Sequence, residues 1–274
     1  MNQARFLGRA VDSVLSQENV DFEYVVVDAG STDGSREYLA TLHDPRLSLI
    51  FEPDRGPADG LNKGVRSTGG PVVGYLNADD AYLAGALRAA VENFDRQPDV
   101  DVVYGDGWIV DGEDRVLRHF EATPWGLQRY LHGGVDVFQP STFFRRDAFE
   151  RTAGFNVNNA TCWDAELLVD LALAGARFRH TRADWSAFRL HRDGISGSGR
   201  LQARYLEDQG RIFRRLSGRD RGGLDAVLRT TVRCAKILRS PGYASRRLRS
   251  KPSAELRLAR AHGGYIVRSG VGAV

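Results

Sequence analysis

Pro71-Val-Val-Gly-Tyr-Leu-Asn-Ala-Asp-Asp80 is a short hydrophobic run delivered onto an acidic turn. Its first seven residues have strand character, Asp79-Asp80 lies just past the carboxyl end, and a helix is expected from about Leu83. The same succession occurs upstream. Phe22-Glu-Tyr-Val-Val-Val-Asp28 is a strand ending in a Gly-rich turn, and Ser31-Thr32-Asp33 then offers N-cap groups for a helix through Leu42. Leu47–Glu52 forms another strand, stopped by Pro53 and Gly56, and Ala58–Ser67 a helix closed by Gly69-Gly70. Ahead of all of these, Phe6, Leu7, Ala10, Val11, Val14 and Leu15 recur at helical spacing. Strands separated by helices of this length predict an α/β, Rossmann-like domain: a mostly parallel central sheet with flanking helices. Ligands of such sheets bind outside the carboxyl ends of the strands, which is where Asp28 and Asp79-Asp80 fall.

From Val100 the pattern changes. Val102-Val-Tyr104, Trp108–Val110 and Val116–Phe120 predict a meander, followed by a helix at Asp164–Ala174 and a strand at Phe178–His180. Arg189–Arg200, rich in Gly and Ser, reads as a mobile loop. Beyond it, two or three basic helices are broken at Gly218–Gly223 and Pro241-Gly242. The expected division is a catalytic-type domain over 1–199 and a basic helical extension over 200–274.

Composition narrows the classes. With 42% apolar and 27% charged residues, the 274-residue chain has the make-up of a soluble globular protein able to bury a core without staples. Cys162 and Cys234 have neither metal nor disulfide spacing and suit a reducing compartment. The opening Met-Asn-Gln-Ala-Arg-Phe-Leu is too polar for a signal segment, and the apolar runs are strand-sized. A cytoplasmic protein is expected. The net charge of +3 conceals an asymmetry, because 18 of the 38 Lys and Arg and only five of the 35 acids lie from Arg200 onward. The extension is therefore +13 and the body −10.

Each chemical signal has a bland rival. Asp79-Asp80 suits a divalent cation, which takes one or two carboxylates plus substrate phosphates, but Asp near a helix start is also favourable in itself. Asp28 could accept a nucleobase ring N–H or merely shape its turn. Asp54–Gly64, with Asp59 and Lys63, forms a loop-to-helix junction suited to phosphate or simply capped. Asp164 could be a general base or a cap, and Trp163 a sugar platform or core. His191 could bind a metal or sit on the surface.

Taken in order, these stretches resemble the family 2 glycosyltransferases of GT-A fold. They are Asn2-Gln-Ala-Arg-Phe-Leu7, Val26-Val-Asp-Ala-Gly-Ser-Thr-Asp-Gly-Ser35, Asp54–Gly64 and Tyr75-Leu-Asn-Ala-Asp-Asp80. Gln139-Pro-Ser-Thr-Phe-Phe-Arg-Arg146, Cys162-Trp-Asp-Ala-Glu-Leu-Leu168 and Phe188-Arg-Leu-His191 complete the set. The resemblance implies an inverting, metal-dependent transfer from a nucleoside-diphosphate sugar, a UDP-sugar first, to a glycan or lipid-linked hydroxyl in cell-surface polysaccharide or glycolipid synthesis. It implies Asp28 at the base, Asp79 at the ribose, Asp80 and His191 at a Mg²⁺ or Mn²⁺ ion, and Asp164 as the catalytic base. Asp59, Lys63 and Arg189 would join the donor site, Gln139 and Trp163 the acceptor side. The family also places a hydrophobic strand before the Asn-Gln-Ala-Arg stretch. Met1 stands there instead, so the first strand of the family fold is expected to be missing, the consequence of a start codon assigned too late.

A +13 extension mixing apolar and arginine residues could hold the protein at an anionic membrane surface, a peripheral seat on the inner face. Nucleic acid is not expected, since aromatics are sparse there. A sugar-nucleotide nucleotidyltransferase is a rival reading, though the chain lacks a Gly-rich phosphate loop near its start. No G-x-G-x-x-G follows a strand, which disfavours a dinucleotide oxidoreductase. A non-catalytic sugar or membrane-surface module would not need Asp164.

Overall fold

The computed structural model describes residues 1–192, 194, 201–239, 256–261 and 264–269. Its elements in order are α1 (Ala4–Leu15), β1 (Tyr24–Val27), α2 (Ser35–Ala40), β2 (Leu47–Ile50), α3 (Pro57–Arg66), β3 (Val72–Gly74), β4 (Ala81–Tyr82) and α4 (Ala86–Arg96). Then come β5 (Val102–Val110), β6 (Val116–Phe120), α5 (Leu127–Leu131), β7 (Thr142–Arg145), α6 (Arg146–Glu150), α7 (Trp163–Leu173) and β8 (Phe178–Arg189). The basic extension carries α8 (Gln202–Ser217), α9 (Gly223–Arg239) and a hairpin of β9 (Leu256–Ala261) and β10 (Gly264–Ser269). The break expected at Gly218–Gly223 separates α8 from α9, and the terminal hairpin was not anticipated. Pro241-Gly242 and most of the loop after Gly194 lie outside the described residues.

The first half folds as its alternation predicts, but the sheet as a whole is mixed. β1 and β2 pair in parallel, as do β5 and β8, whereas β4, β6 and β7 are added antiparallel. The main sheet runs β3-β7-β5-β8-β4 with β6 also on β5. Two sequence boundaries move for one reason. β5 is continuous through Gly105 and Gly107, and β8 continues past His180 to Arg189, because the two pair along their length. The glycine at 107 is a packing requirement. A Cβ there would lie 2.2 Å from the Phe138 ring and 2.4 Å from the Ser186 carbonyl.

Both faces of this sheet are covered. Tyr104, Phe144, Phe149, Phe155, Leu167 and Leu171 form the core beneath α6 and α7, and Phe94, Phe143, Tyr82 and Trp185 the core beneath α4. Every one of these side chains is buried. Burying a large apolar side chain contributes roughly 1.5–3 kcal/mol, so these layers fix the frame.

β1 and β3 do not pair. The N–H groups of Tyr24 and Asp28 go to β2, at Arg46 and Ile50, so the backbone of Val25 and Val27 faces the other way. Pro71 bonds Arg146 beside β7, so Val72 and Gly74 face away from β7. The starts of the two strands are held together, since the Glu23 carboxylate accepts the Gly69 N–H at 3.1 Å. Between them runs a cleft of about 1150 Å³, lined by Val25, Val27, Val72, Gly74 and Phe143. All four residues of β1 are only half-buried despite their apolar character. Among the described residues no strand pairs with either of these facing edges.

Candidate active site

The cleft opens at the carboxyl ends of β1 and β3, where Ala29, Asn77, Asp79, Gln139, Trp163, Asp164 and Arg189 also line it. Beyond β3 the chain turns through a hydrogen bond from the Asp80 N–H to the Asn77 carbonyl at 3.1 Å. That turn points the two carboxylates in different directions. Asp80 is 1% exposed. Its Oδ1 accepts the Arg189 N–H at 2.8 Å and its Oδ2 the Asn77 amide at 3.0 Å. Burial, with the Asp79 charge behind it, raises its pKa well above the ordinary carboxylate range. Asp79 instead meets His191, with 2.9 Å between Oδ2 and Nε2.

This arrangement departs from the sequence reading, which gave Asp80 the ion and Asp79 the ribose. Both Asp80 oxygens are already occupied by protein donors. The pair facing each other is Asp79 and His191, at a spacing that one ion can bridge. The His191 side chain is 7% exposed, its ring lies 4.8 Å from that of Phe6, and among the described residues its Nδ1 has no hydrogen-bond partner. Among the described residues no group of three or more His, Cys, Asp or Glu gathers. A carboxylate with substrate phosphate oxygens fits the habit of Mg²⁺ or Mn²⁺, while the imidazole nitrogen is a softer ligand that favours the transition ion.

Arg189 does not reach outward. It is 3% exposed, and its guanidinium donates to the carbonyls of Asp79 (2.9 Å) and Asp111 (2.6 Å) while pairing with Asp114 at 2.6 Å. Having spent its donors inside the protein, it props the acidic turn rather than contacting a donor. Asp59 and Lys63 are likewise set apart from the cleft. Asp59 caps its own turn by accepting the Arg55 N–H at 3.1 Å, and the Lys63 ammonium donates to the Pro53 carbonyl at 2.5 Å. Asp54 of the same junction does line the cleft.

Asp28 is buried, and its Oδ1 accepts the N–H groups of Gly30 (2.9 Å) and Ser31 (2.8 Å) and the Arg36 guanidinium (2.7 Å). Burial alone would raise its pKa, but these bonds, with one from the Ser31 side chain, outweigh it and hold the carboxyl well below its ordinary value. The turn-shaping role is thus present in full.

Asp164 is the second residue of α7. Burial raises its pKa, against hydrogen bonds from the backbone N–H groups of Ala165 and Asp164 itself. Its charge is felt at Tyr75, at the end of β3, where burial and then Asp164 raise the phenol pKa well above its ordinary value. Trp163 packs in the core, yet among the described residues its indole N–H has no partner. Gln139 accepts from the Asn77 amide at 3.0 Å and reaches the Tyr75 carbonyl at 3.4 Å. Sequence reasoning missed Asn77 as the link between the acidic turn and Gln139; its position before Asp79-Asp80 was the available signal.

Residues 1–153 match the sequence model of glycosyl transferase family 2, and the chain belongs to that family. Its mixed sheet and flanking helices have the GT-A fold of that class. An uncharacterized glycosyltransferase of Nostoc is 37% identical over 69% of this chain and 62% of its own length. A chondroitin synthase of Pasteurella multocida is 26% identical over 71% of this chain, matching only 20% of that protein. The chain thus spans less than two thirds of these relatives. Among solved structures, the mannosyltransferase PcManGT from Pyrobaculum calidifontis, in complex with GDP-Man and Mn²⁺, superposes with a TM-score of 0.59 at 19% identity. That match covers 88% of this chain and 72% of that one. S. aureus TarS 1–349 in complex with UDP gives a TM-score of 0.55 at 15% identity, covering 99% and 95%. At such identities the likeness is one of fold.

Proposed function

We propose that this chain moves a sugar from a nucleoside-diphosphate donor to a hydroxyl acceptor by a single inverting displacement, in the synthesis of a cell-surface polysaccharide or glycolipid. The observation that carries the reading is a single cleft lined, at the strand ends, by both Asp79, which meets His191, and Asp164. The relative solved with GDP-Man and Mn²⁺ and the one solved with UDP support a nucleotide-sugar donor.

Asp79 and His191 would hold a Mg²⁺ or Mn²⁺ ion, which would neutralise charge developing on the leaving diphosphate. Asp80 and Arg189 keep Asp79 in place. Asp164, in its deprotonated form, takes the acceptor hydroxyl proton as that oxygen attacks the anomeric carbon opposite the diphosphate. Gln139 and Trp163 flank the acceptor side, and the Trp163 indole N–H, unpartnered among the described residues, can meet a hydroxyl. Asp28, already committed through Oδ1, would use its other oxygen for a base N–H. Asp59 and Lys63 support the donor loop from behind.

The test is a thermal-shift panel of nucleotide sugars with and without Mn²⁺, followed by nucleoside-diphosphate release. Asp164→Asn should retain donor binding and lose transfer by about 10²–10⁴-fold, the usual contribution of a positioned base. Release of inorganic diphosphate instead would point to a nucleotidyltransferase and overturn the reading.

A second reading concerns the extension. Leu224, Val227 and Leu228 of α9 are 68%, 60% and 37% exposed, and their spacing places them on one helix face. With the basic charge around them, this face supports peripheral attachment to an anionic membrane. Among the described residues no helix is long and apolar enough to cross one.

A further inference from the structure

The Asp164 carboxylate stands in the first turn of α7, where the backbone N–H groups of Asp164 and Ala165 favour its charged form and no side chain holds it among the described residues. Its position therefore depends on whatever fixes loop 156–162 and the start of α7. Two buried carboxylates do so. Glu166, two residues beyond Asp164 and 1% exposed, accepts the Asn156 amide (3.1 Å) and the Asn159 amide (2.7 Å). Asn159 in turn accepts the N–H groups of Thr161 (3.1 Å) and Cys162 (2.9 Å). The second carboxylate, Asp208, comes from α8 and is 2% exposed. Its Oδ2 accepts the Ala160 N–H (3.2 Å) and the Thr161 hydroxyl (2.8 Å).

Arg211 of α8 joins the two. Its fork meets Glu166 at 2.5 and 3.0 Å and Asp208 at 3.3 Å. Arg215, one turn on, lies 3.5 Å from Glu166 and also pairs with Asp170. These bonds exceed what docking a helix needs, since Ile212 and Leu216 already pack with Cys162, Val169 and Ala165. They converge on the loop that leads into Asp164.

We propose that Glu166, Arg211 and Asp208 are positioning residues for Asp164, so that α8 completes the catalytic loop. The assignment rests on Asp164 being the base. A misplacement of about 1 Å can cost on the order of 10²-fold in rate, while donor binding at the strand ends is untouched.

The experiment uses the full chain, with UDP plus Mn²⁺ as the binding probe and UDP release from UDP-glucose and UDP-N-acetylglucosamine as turnover. Arg211→Met should lower kcat by about 10- to 100-fold, with donor KM and UDP affinity within about twofold. Arg211→Lys restores the charge without the bidentate fork, so it should recover the melting temperature but not kcat, a split that a purely structural role would not produce. Should Arg211→Met fail to fold, Thr161→Val removes one loop bond and should still lower kcat by about three- to tenfold at unchanged KM. Wild-type kcat in Arg211→Lys or in Thr161→Val overturns the proposal. Asp164→Asn separates the two claims. Turnover retained there removes the base assignment, whereas turnover lost there but kept in the clamp variants removes the clamp alone.

Discussion

At the scale of single residues, the division of labour within Asp79-Asp80 makes a sharp prediction. Asp79→Ala and His191→Ala should each abolish the Mn²⁺-dependent part of UDP binding, measured by calorimetry with and without the ion. Asp80→Asn should keep most of that binding, because an amide still offers an acceptor to the Arg189 N–H. Loss of the Mn²⁺ dependence in Asp80→Asn alone would return the ion to Asp80. The sequence shows that this turn is acidic and lies at a strand end. It does not show which carboxylate turns inward, since that is decided by a backbone N–H 109 positions away, at Arg189. The resemblance puts Arg189 at the donor site, and only its pairing with Asp114 and its bonds to two carbonyls disclose a buried strut. Asp164 gives a second prediction, in pH. Its pKa is raised by burial, so the folded state binds its proton more tightly than the unfolded state does. The stabilising contribution is complete below the ordinary carboxylate pKa and is lost as pH rises through the folded value. Transfer needs the deprotonated form, so activity rises where stability falls. Asp164→Asn should therefore raise the melting temperature at pH 8 and leave it unchanged at pH 3. An equal effect at both would mean that the carboxylate carries no such strain.

At the scale of elements, the legible parts are those whose pattern is local. α1, α3, α7 and the strands β1, β2 and β3 follow from periodicity and capping signals. β8 was read only at Phe178–His180, although Ala183, Trp185 and Ala187 alternate with Arg182, Asp184 and Ser186 beyond it, and pairing with β5 carries the strand to Arg189. The cleft between β1 and β3 belongs to the same lesson, because an unpaired edge is a tertiary fact. Edges of this kind, with Val25 and Val27 on one side and Val72 and Gly74 on the other, are built to accept a strand. A six-residue apolar strand fused ahead of Met1, near Ser31 through the Asn2 N–H, should enter between them and run with both. At a net of about 1 kcal/mol for each hydrogen bond gained, even two or three new bonds should raise the melting temperature by several degrees. They should also protect the Val25 and Val27 amides from hydrogen exchange. An unchanged melting temperature and unchanged exchange would show that the two edges do not accept it.

At the scale of the whole molecule, the charge asymmetry seen in the sequence resolves into two uses. Part of it is internal: Arg211 and Arg215 neutralise Glu166, Asp208 and Asp170 where α8 meets the body. That portion is consumed in docking and cannot attract a surface. α9 in turn presents the exposed Leu224, Val227 and Leu228 as an apolar face. Burying that face at a membrane gains roughly 25 cal/mol per Å² of apolar surface removed from water, and each basic residue near an anionic surface adds about 1 kcal/mol that salt screens. The two contributions can be separated. Co-sedimentation with vesicles of phosphatidylcholine and phosphatidylglycerol should weaken as salt is raised, and should be absent with phosphatidylcholine alone. Leu224→Glu with Val227→Glu should abolish binding at every salt concentration while leaving UDP affinity and the Arg211-dependent kcat unchanged, since α9 lies outside the clamp. Binding that survives those two changes would place any membrane contact elsewhere on the molecule.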